Sequence, residues 1–100
     1  MDKVYNLLME IKKHPEIYIG NHSIERLYAF ISGFRFYEHY ALNTYESCCL
    51  DGFNEYVAKL YNFTETYNWS TMIEIVAGSK ENKALEKFFE LLDEYLKTKL

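Results

Sequence analysis

Apolar residues recur at helical spacing along most of the chain. Asp2 is a suitable N-cap for a first helix that ends near Lys13, and the apolar positions between them predict one buried face. Pro15 ends this helix, because the residue before a proline is pushed out of the α region. Residues 17–19 are expected to form an extended link against the core, and Gly20 to turn the chain into the next helix. The predicted buried positions of the first helix are Val4, Leu7, Leu8 and Ile11.

A second predicted helix is apolar almost all round. It begins after Asn21 or Ser23 and runs to about Ala41. Apolar positions on both sides of a helix are typical of a central, mostly enclosed element, so we expect this helix to lie inside the fold. One side carries Ile24, Leu27, Tyr28, Ile31 and Phe34, and the other carries Phe30, Tyr37 and Tyr40.

The second half of the chain predicts three more helices. After a loop over residues 43–50, one helix begins near Phe53, and another follows Asn68 or Ser70 and ends at Gly78. A strand is an open alternative for residues 73–76, since Ile and Val are β-branched. Ser79 opens the last helix, whose apolar stripe extends to Leu96. We therefore predict an all-α fold, a single compact bundle of about five helices, with residues 1–100 forming a single helical domain.

Composition supports this fold and excludes others. The chain of 100 residues is 49% hydrophobic and holds only four Gly and one Pro, too few turn residues for an all-β domain. The adjacent Cys48 and Cys49 are poor material for a disulfide scaffold, and the first residues do not resemble a secretory leader. No apolar run approaches the ~20 residues of a membrane span. We expect a cytoplasmic protein that does not enter a membrane.

The net charge of −4 is concentrated in the middle of the chain. Residues 38–79 contain six acidic residues and a single basic residue, Lys59, which argues against nucleic-acid binding. Nine aromatic residues lie between Tyr37 and Trp69. Aromatic residues are favoured interface anchors, and acidic neighbours steer a basic partner, but half-buried core residues beside a solvated face explain the same pattern. The candidate partner-binding residues are Tyr45, Glu46, Asp51, Glu55, Glu65 and Tyr67.

The chain shows no recognisable pattern for catalysis. His14, His22 and His39 are too scattered for a metal motif, and nothing places a cysteine beside one of them. The carboxylates of the last helix alternate with lysines at helical spacing and predict a solvated face with surface ion pairs. We therefore predict no enzyme activity, no metal and no cofactor.

Residues 13–20 have the sequence KHPEIYIG. They are followed in order by a Ser-capped helix, a Phe-rich short helix, a Trp-containing element and a last helix with the pattern Phe-Phe-x-Leu-Leu. This order resembles a family of small, all-helical bacterial proteins with a Pro-x-Ile/Met-Tyr-Ile/Leu-Gly link. The chain departs from the family pattern by His14 in place of Arg and Glu16 in place of Gly. The later elements of the resemblance are residues 23–27, 30–34, 53–57, 69–70 and 88–95.

Members of that family are often encoded beside polymorphic or contact-dependent growth inhibition toxins. The resemblance therefore implies an immunity protein that binds a cognate toxin domain and covers its active site. Because nucleases that bind RNA or DNA are basic, the acidic middle of this chain is compatible with a nuclease toxin. The alternative is a small cytosolic regulatory or adaptor protein that binds another protein partner.

Overall fold

The computed structural model describes residues 2–78 and 82–100, and every regular element in these residues is helical. The all-α prediction is therefore confirmed, and residues 73–76 are helical rather than a strand. Ser79, predicted to open the last helix, lies outside the described residues. The elements are α1 (Lys3–Lys13), α2 (Pro15–Tyr18), α3 (Ile24–Tyr37), a π-helix (Glu38–Leu42), α4 (Phe53–Leu60), α5 (Trp69–Ala77) and α6 (Lys83–Lys97).

Side-chain caps begin three of the helices where the sequence predicts them. The Asp2 carboxylate accepts a hydrogen bond from the Tyr5 backbone N–H at 2.7 Å, and the Asn68 side chain accepts one from the N–H of Thr71 at 3.0 Å. Ser23 caps α3 in the same way. Each cap satisfies an N–H group that has no partner inside its helix, which stabilises the helix by about 1 kcal/mol.

The centre of the fold is an aromatic core between α4, α5 and α6. The Phe53 ring is fully buried and lies 5.6 Å from the Phe88 ring and 6.0 Å from the Trp69 ring, centroid to centroid. Trp69 and Phe88 stack at 4.7 Å. Full burial of one such ring removes it from water and stabilises the fold by about 1.5–3 kcal/mol. This core holds α4, α5 and α6 together, and α3 packs against α5 and α6.

The prediction that an extended link follows α1 is wrong. Residues Pro15–Tyr18 form one helical turn, with Pro15 at the first position, where its missing N–H removes no helical hydrogen bond. The Ile19 N–H donates to the Pro15 carbonyl at 2.8 Å, so these two buried residues share one face. The side chains of Ile17 and Tyr18 consequently lie outside the core, and Ile17 is 71% exposed. The predicted turn at Gly20 is confirmed by its φ of 80°.

The second predicted helix is not enclosed. Only Ile24, Leu27 and Ile31 of α3 are buried, although Ser23 begins the helix as predicted. The helix becomes a π-helix at Glu38, so the predicted end near Ala41 is close but the last turn is wider than expected. Because the other helices pack on one side of α3 only, its outer face remains open. None of the described helices is long and apolar enough to cross a membrane.

Candidate interaction surface

Exposed rings cover the C-terminal end of α3, the π-helix and the loop that follows. Phe36 is 64% exposed and Tyr40 is 70% exposed, and their ring centroids lie 4.4 Å apart. The His39 ring lies 4.4 Å from the Tyr40 ring and 5.4 Å from the Tyr45 ring. These four residues, Phe36, His39, Tyr40 and Tyr45, are called the aromatic surface below. The rings support one another but are not covered by the rest of the fold.

The π-helix determines how these rings are presented. The Thr44 N–H donates to the Glu38 carbonyl at 2.9 Å, and Asn43 ends the element in a left-handed conformation with φ 53°. A wider turn changes the direction of the side chains that follow, so His39 and Tyr40 are set differently from a continued α-helix. Single π-turns of this kind are rare and occur frequently at functional sites.

An ion cluster around one buried carboxylate supports the aromatic surface from the inner side. The Glu38 side chain is 3% exposed and its carboxylate lies 3.0 Å from the Arg35 guanidinium and 3.3 Å from the Lys3 ammonium. These two contacts join α1, α3 and the π-helix. Because a buried carboxylate is stable only when it is paired, Glu38 holds the π-helix to Arg35 of α3, and the more exposed Lys3 adds a weaker contact with α1.

Arg35 extends this cluster to the surface. Its guanidinium donates to the Glu46 backbone carbonyl at 2.7 Å and lies 3.9 Å from the centre of the Tyr45 ring. Burial alone lowers the pKa of Arg35, but its contacts with Tyr45, Cys48 and Glu38 outweigh burial and raise it. Arg35 therefore stays charged and holds the loop of Tyr45 and Glu46 against α3.

The aromatic surface surrounds a shallow pocket of about 390 Å³, which Ser32 and Arg35 complete. Its lining therefore combines aromatic rings with the imidazole of His39, the hydroxyl of Ser32 and the guanidinium of Arg35. Such a surface buries apolar area on contact while the tyrosine hydroxyls keep hydrogen-bonding capacity. The arrangement suits the side chains of a protein partner.

The six predicted partner-binding residues do not form one continuous surface. Tyr45 and Glu46 lie at the aromatic surface beside Arg35, as described above. Glu65 accepts a 2.6 Å hydrogen bond from the hydroxyl of Tyr67, a contact that raises the pKa of Tyr67. Tyr67, although predicted to bind a partner, is half-buried, and its ring packs on Phe63. Within residues 2–78 and 82–100, no hydrogen bond, ion pair or ring contact joins the Tyr45–Glu46 pair to the Glu65–Tyr67 pair.

The two remaining candidates differ from each other. Glu55 is exposed on α4. Asp51 is exposed as well, but its backbone carbonyl accepts hydrogen bonds from the Tyr95 hydroxyl and the Lys99 ammonium, and its carboxylate accepts one from the Cys48 N–H. Asp51 therefore connects the loop before α4 to the end of α6, which is a structural role.

Sequence reasoning missed Phe36 and His39 and placed Tyr37 and Tyr40 inside the fold. A helix with apolar residues on both sides is either enclosed by other elements or leaves one apolar face exposed to solvent. The signal that distinguishes them is chain length, because 100 residues provide too few other helices to cover α3 on every side.

A second groove of about 640 Å³ lies between α6 and the α1–α2 corner. The Lys12 ammonium lies 5.6 Å above the Phe89 ring within it. The outer face of α6 carries the predicted surface ion pairs, Lys87 with Glu90 at 3.6 Å and Lys97 with Asp93 at 3.0 Å. In the described part of the chain, no three His, Cys, Asp or Glu side chains are grouped so that they could hold a metal ion.

Comparison with known proteins gives no further assignment. No protein-family model matches the chain, and no curated protein or solved structure is significantly similar to it. The aromatic surface is therefore the feature on which a functional proposal depends.

Proposed function

We propose that this protein is an immunity protein that acts in the bacterial cytoplasm, where it binds a cognate toxin domain, most simply a basic nuclease, and covers its active site. The protein performs no chemistry in this function. The aromatic surface is the proposed contact region, with Glu46 at its edge as a charge that attracts a basic partner.

The observation that carries this proposal is the exposure of Phe36, Tyr40 and Tyr45 on a supported π-helix. Single apolar residues on a protein surface need no explanation, but a group of neighbouring rings is typical of an interaction site. Interface anchors are enriched in tyrosine, because the ring buries a large area at a low cost in conformational entropy. The ion cluster of Glu38, Arg35 and Lys3 fixes the backbone under these rings before a partner binds, which lowers the cost of association.

The test is to express the genes on either side of the coding sequence one at a time in a heterologous bacterium, alone and together with this protein. We expect one product to arrest growth and co-expression to restore it. The purified pair should then form a complex, and Tyr40→Ala should weaken it by about 2 kcal/mol, which is about thirtyfold in Kd.

The matched control is Ile75→Ala, since Ile75 is 57% exposed but lies on α5, outside the aromatic surface. This variant should bind as tightly as the wild type. Failure of every neighbouring product to arrest growth, or arrest that this protein does not relieve, contradicts the immunity function. A tight complex with a non-toxic neighbour supports the regulatory or adaptor alternative instead. Equal losses for Tyr40→Ala and Ile75→Ala place the interface elsewhere.

A further inference from the structure

The outer face of α3, opposite its buried residues, is centred on Gly33. Because an α-helix has about 3.6 residues per turn, Phe30 and Phe36 lie one turn away from Gly33 on either side of it. Tyr37 lies on the same face and is 54% exposed, and Phe30 is 36% exposed. The ring of Tyr18 in α2 packs against that of Phe30, with the centroids 6.4 Å apart. The face therefore continues the aromatic surface along the length of α3.

Nothing in the described chain explains a glycine at the centre of this face. Glycine is unfavourable inside a helix, because it loses more conformational freedom on folding than other residues do. Gly33 lies within α3 and does not have a positive φ. Beyond its chain neighbours and the backbone of its own helix, nothing in the described residues lies within 4 Å of the position that a Cβ would take. The absent side chain instead leaves room for the backbone of another helix to come close.

The residues on either side of Gly33 are complementary to one another. In an antiparallel pair of α3 helices related by a two-fold axis at Gly33, a residue after Gly33 faces the residue that lies equally far before Gly33 in the second copy. Phe36 then faces Phe30, ring against ring, and Tyr37 faces the small, exposed Ala29. In a parallel pair each residue would face its own equivalent, so Tyr37 would meet a second Tyr37. The pattern of large and small residues therefore favours the antiparallel pair.

The charge at the start of α3 matches the opposite end of the helix in a second copy. Arg26 is exposed, and its guanidinium donates a hydrogen bond to the Ile19 carbonyl at 3.1 Å. In the antiparallel pair, Arg26 approaches the C-terminal end of the other α3, where the helix dipole favours a cation. Tyr40 lies at that end and offers its exposed ring for a cation–π contact. Arg35 and Tyr45 already make such a contact within one chain, at 3.9 Å.

The exposed area is sufficient for a weak dimer. At about 200 Å² for an aromatic side chain, the exposed fractions of Phe30, Phe36, Tyr37 and Tyr40 amount to about 450 Å² of surface per copy. Two copies would bury about 900 Å² through these rings, and the residues around them raise the total above the ~1,000 Å² that a specific interface needs. An interface of this size is at the low end of the range and is typical of transient association.

We propose that the outer face of α3 is an interface between two copies of this chain, which form an antiparallel, two-fold symmetric dimer with the helices crossing at Gly33. The dimer does not rest on the proposed immunity function, because it needs this chain alone. Phe36 and Tyr40 belong to the aromatic surface as well, so the dimer must dissociate before a toxin domain can contact the same rings. At about 1 μM, well below the expected Kd, the chains are separate and the rings are exposed.

Sedimentation equilibrium of the purified chain between about 1 and 500 μM tests the proposal, and we expect a monomer–dimer equilibrium with a Kd of about 10–100 μM. Gly33→Leu should stay monomeric over this range, because its side chain keeps the two backbones apart. It should unfold at the wild-type temperature or above, since leucine favours a helix and has open space at this position. The matched control, Asn54→Leu, adds the same side chain at an exposed position of α4 and should dimerise as the wild type does. A wild-type chain that stays monomeric at the highest concentration, or a Gly33→Leu chain that dimerises equally well, overturns the proposal.

An exchange of two residues tests the antiparallel register. Ala29→Tyr sets two tyrosines against each other and Tyr37→Ala leaves a gap, so each should raise the Kd of the dimer about tenfold. The double variant restores a large residue opposite a small one and should dimerise within about threefold of the wild type. Positions 29 and 37 do not meet in a parallel dimer or through another surface, so two losses that simply add overturn the proposed interface. Circular dichroism confirms that each variant is folded.

Discussion

The molecule contains two aromatic regions that have opposite relations to solvent. In the core of α4, α5 and α6, Phe53 contacts the rings of Trp69 and Phe88 and is fully buried. On the aromatic surface, the ring centroids of Phe36 and Tyr40 lie closer together, at 4.4 Å, but both residues remain more than half exposed. Ring-to-ring contact therefore does not distinguish a core from a surface in this protein.

The difference between the regions lies in what surrounds the rings. Three helices enclose the core rings, whereas the ion cluster around Glu38 supports the aromatic surface from one side only. The core contributes stability through apolar burial, and the surface region depends on Glu38 for its position. Exposed rings on a segment with a fixed position provide apolar area that a partner can bury on binding.

The largest expected effect comes from truncating the core. Phe53→Ala leaves a cavity among Trp69, Phe88 and Tyr95, and we expect it to lower the free energy of unfolding by about 3–5 kcal/mol. Urea denaturation followed by the fluorescence of Trp69 measures this change. The matched control is Phe36→Ala, which removes the same ring from the aromatic surface and should change stability by no more than about 0.5 kcal/mol. A similar decrease in the free energy of unfolding for the two variants would show that Phe36 is covered in solution. The contrast between a buried and an exposed aromatic region would then be wrong.

The next effect concerns the support of the aromatic surface. Glu38→Ala leaves the charges of Arg35 and Lys3 without their shared partner, and we expect a loss of about 3 kcal/mol in the free energy of unfolding. Lys3→Ala serves as the control, because the Lys3 side chain is 59% exposed and its ion pair is worth at most about 1 kcal/mol. The native fluorescence of Trp69 should be unchanged in both variants, since the ion-pair partners of Glu38 are Lys3 and Arg35, which lie outside the aromatic core of α4, α5 and α6. A Glu38→Ala protein as stable as the wild type would show that packing alone positions the π-helix.

The smallest effect separates the hydroxyl groups of the two regions. Tyr95→Phe removes the hydrogen bond from the Tyr95 hydroxyl to the Asp51 carbonyl, which connects α6 to the loop before α4, and should cost about 1 kcal/mol. Tyr40→Phe removes a hydroxyl from a ring that is 70% exposed and should leave the melting temperature unchanged. Thermal unfolding measured by circular dichroism compares the two. A larger loss for Tyr40→Phe would indicate that the aromatic surface is tied to the fold by its hydroxyl groups.

Sequence reasoning predicted the helices well because their signals are local. The caps Asp2 and Asn68 act within three residues. A period of 3.6 residues correctly predicts the buried Val4, Leu8 and Ile11 of α1, although Leu7, predicted with them, is only partly buried. The turn after Pro15 was missed because a proline that ends one helix also suits the first position of the next. The choice there depends on the burial of Ile19, which is a tertiary contact.

The candidate site was predicted only in part. Tyr45 and Glu46 do lie at the aromatic surface, but Asp51 has a structural role and Tyr67 is half-buried. Composition places aromatic and acidic residues in the same stretch of chain, yet it carries no information on which of them share a face. Arg35, which brings Tyr45 to the π-helix, is eleven residues from Glu46 in sequence, and no periodicity reports such a contact.

The sequence by itself determined the helical class, the caps and the buried stripes, because hydrogen bonds and apolar periodicity within a helix depend on residues three or four positions apart. Only the tertiary structure decided that α3 has an open outer face, that its end widens into a π-helix and that Glu38 is buried beneath it. These features depend on how many helices are present to cover each face and on ion pairs between distant residues such as Lys3 and Glu38. Burial is a property of the whole packed chain, and for that reason the aromatic residues of this protein could be counted from the sequence but not assigned to core or surface.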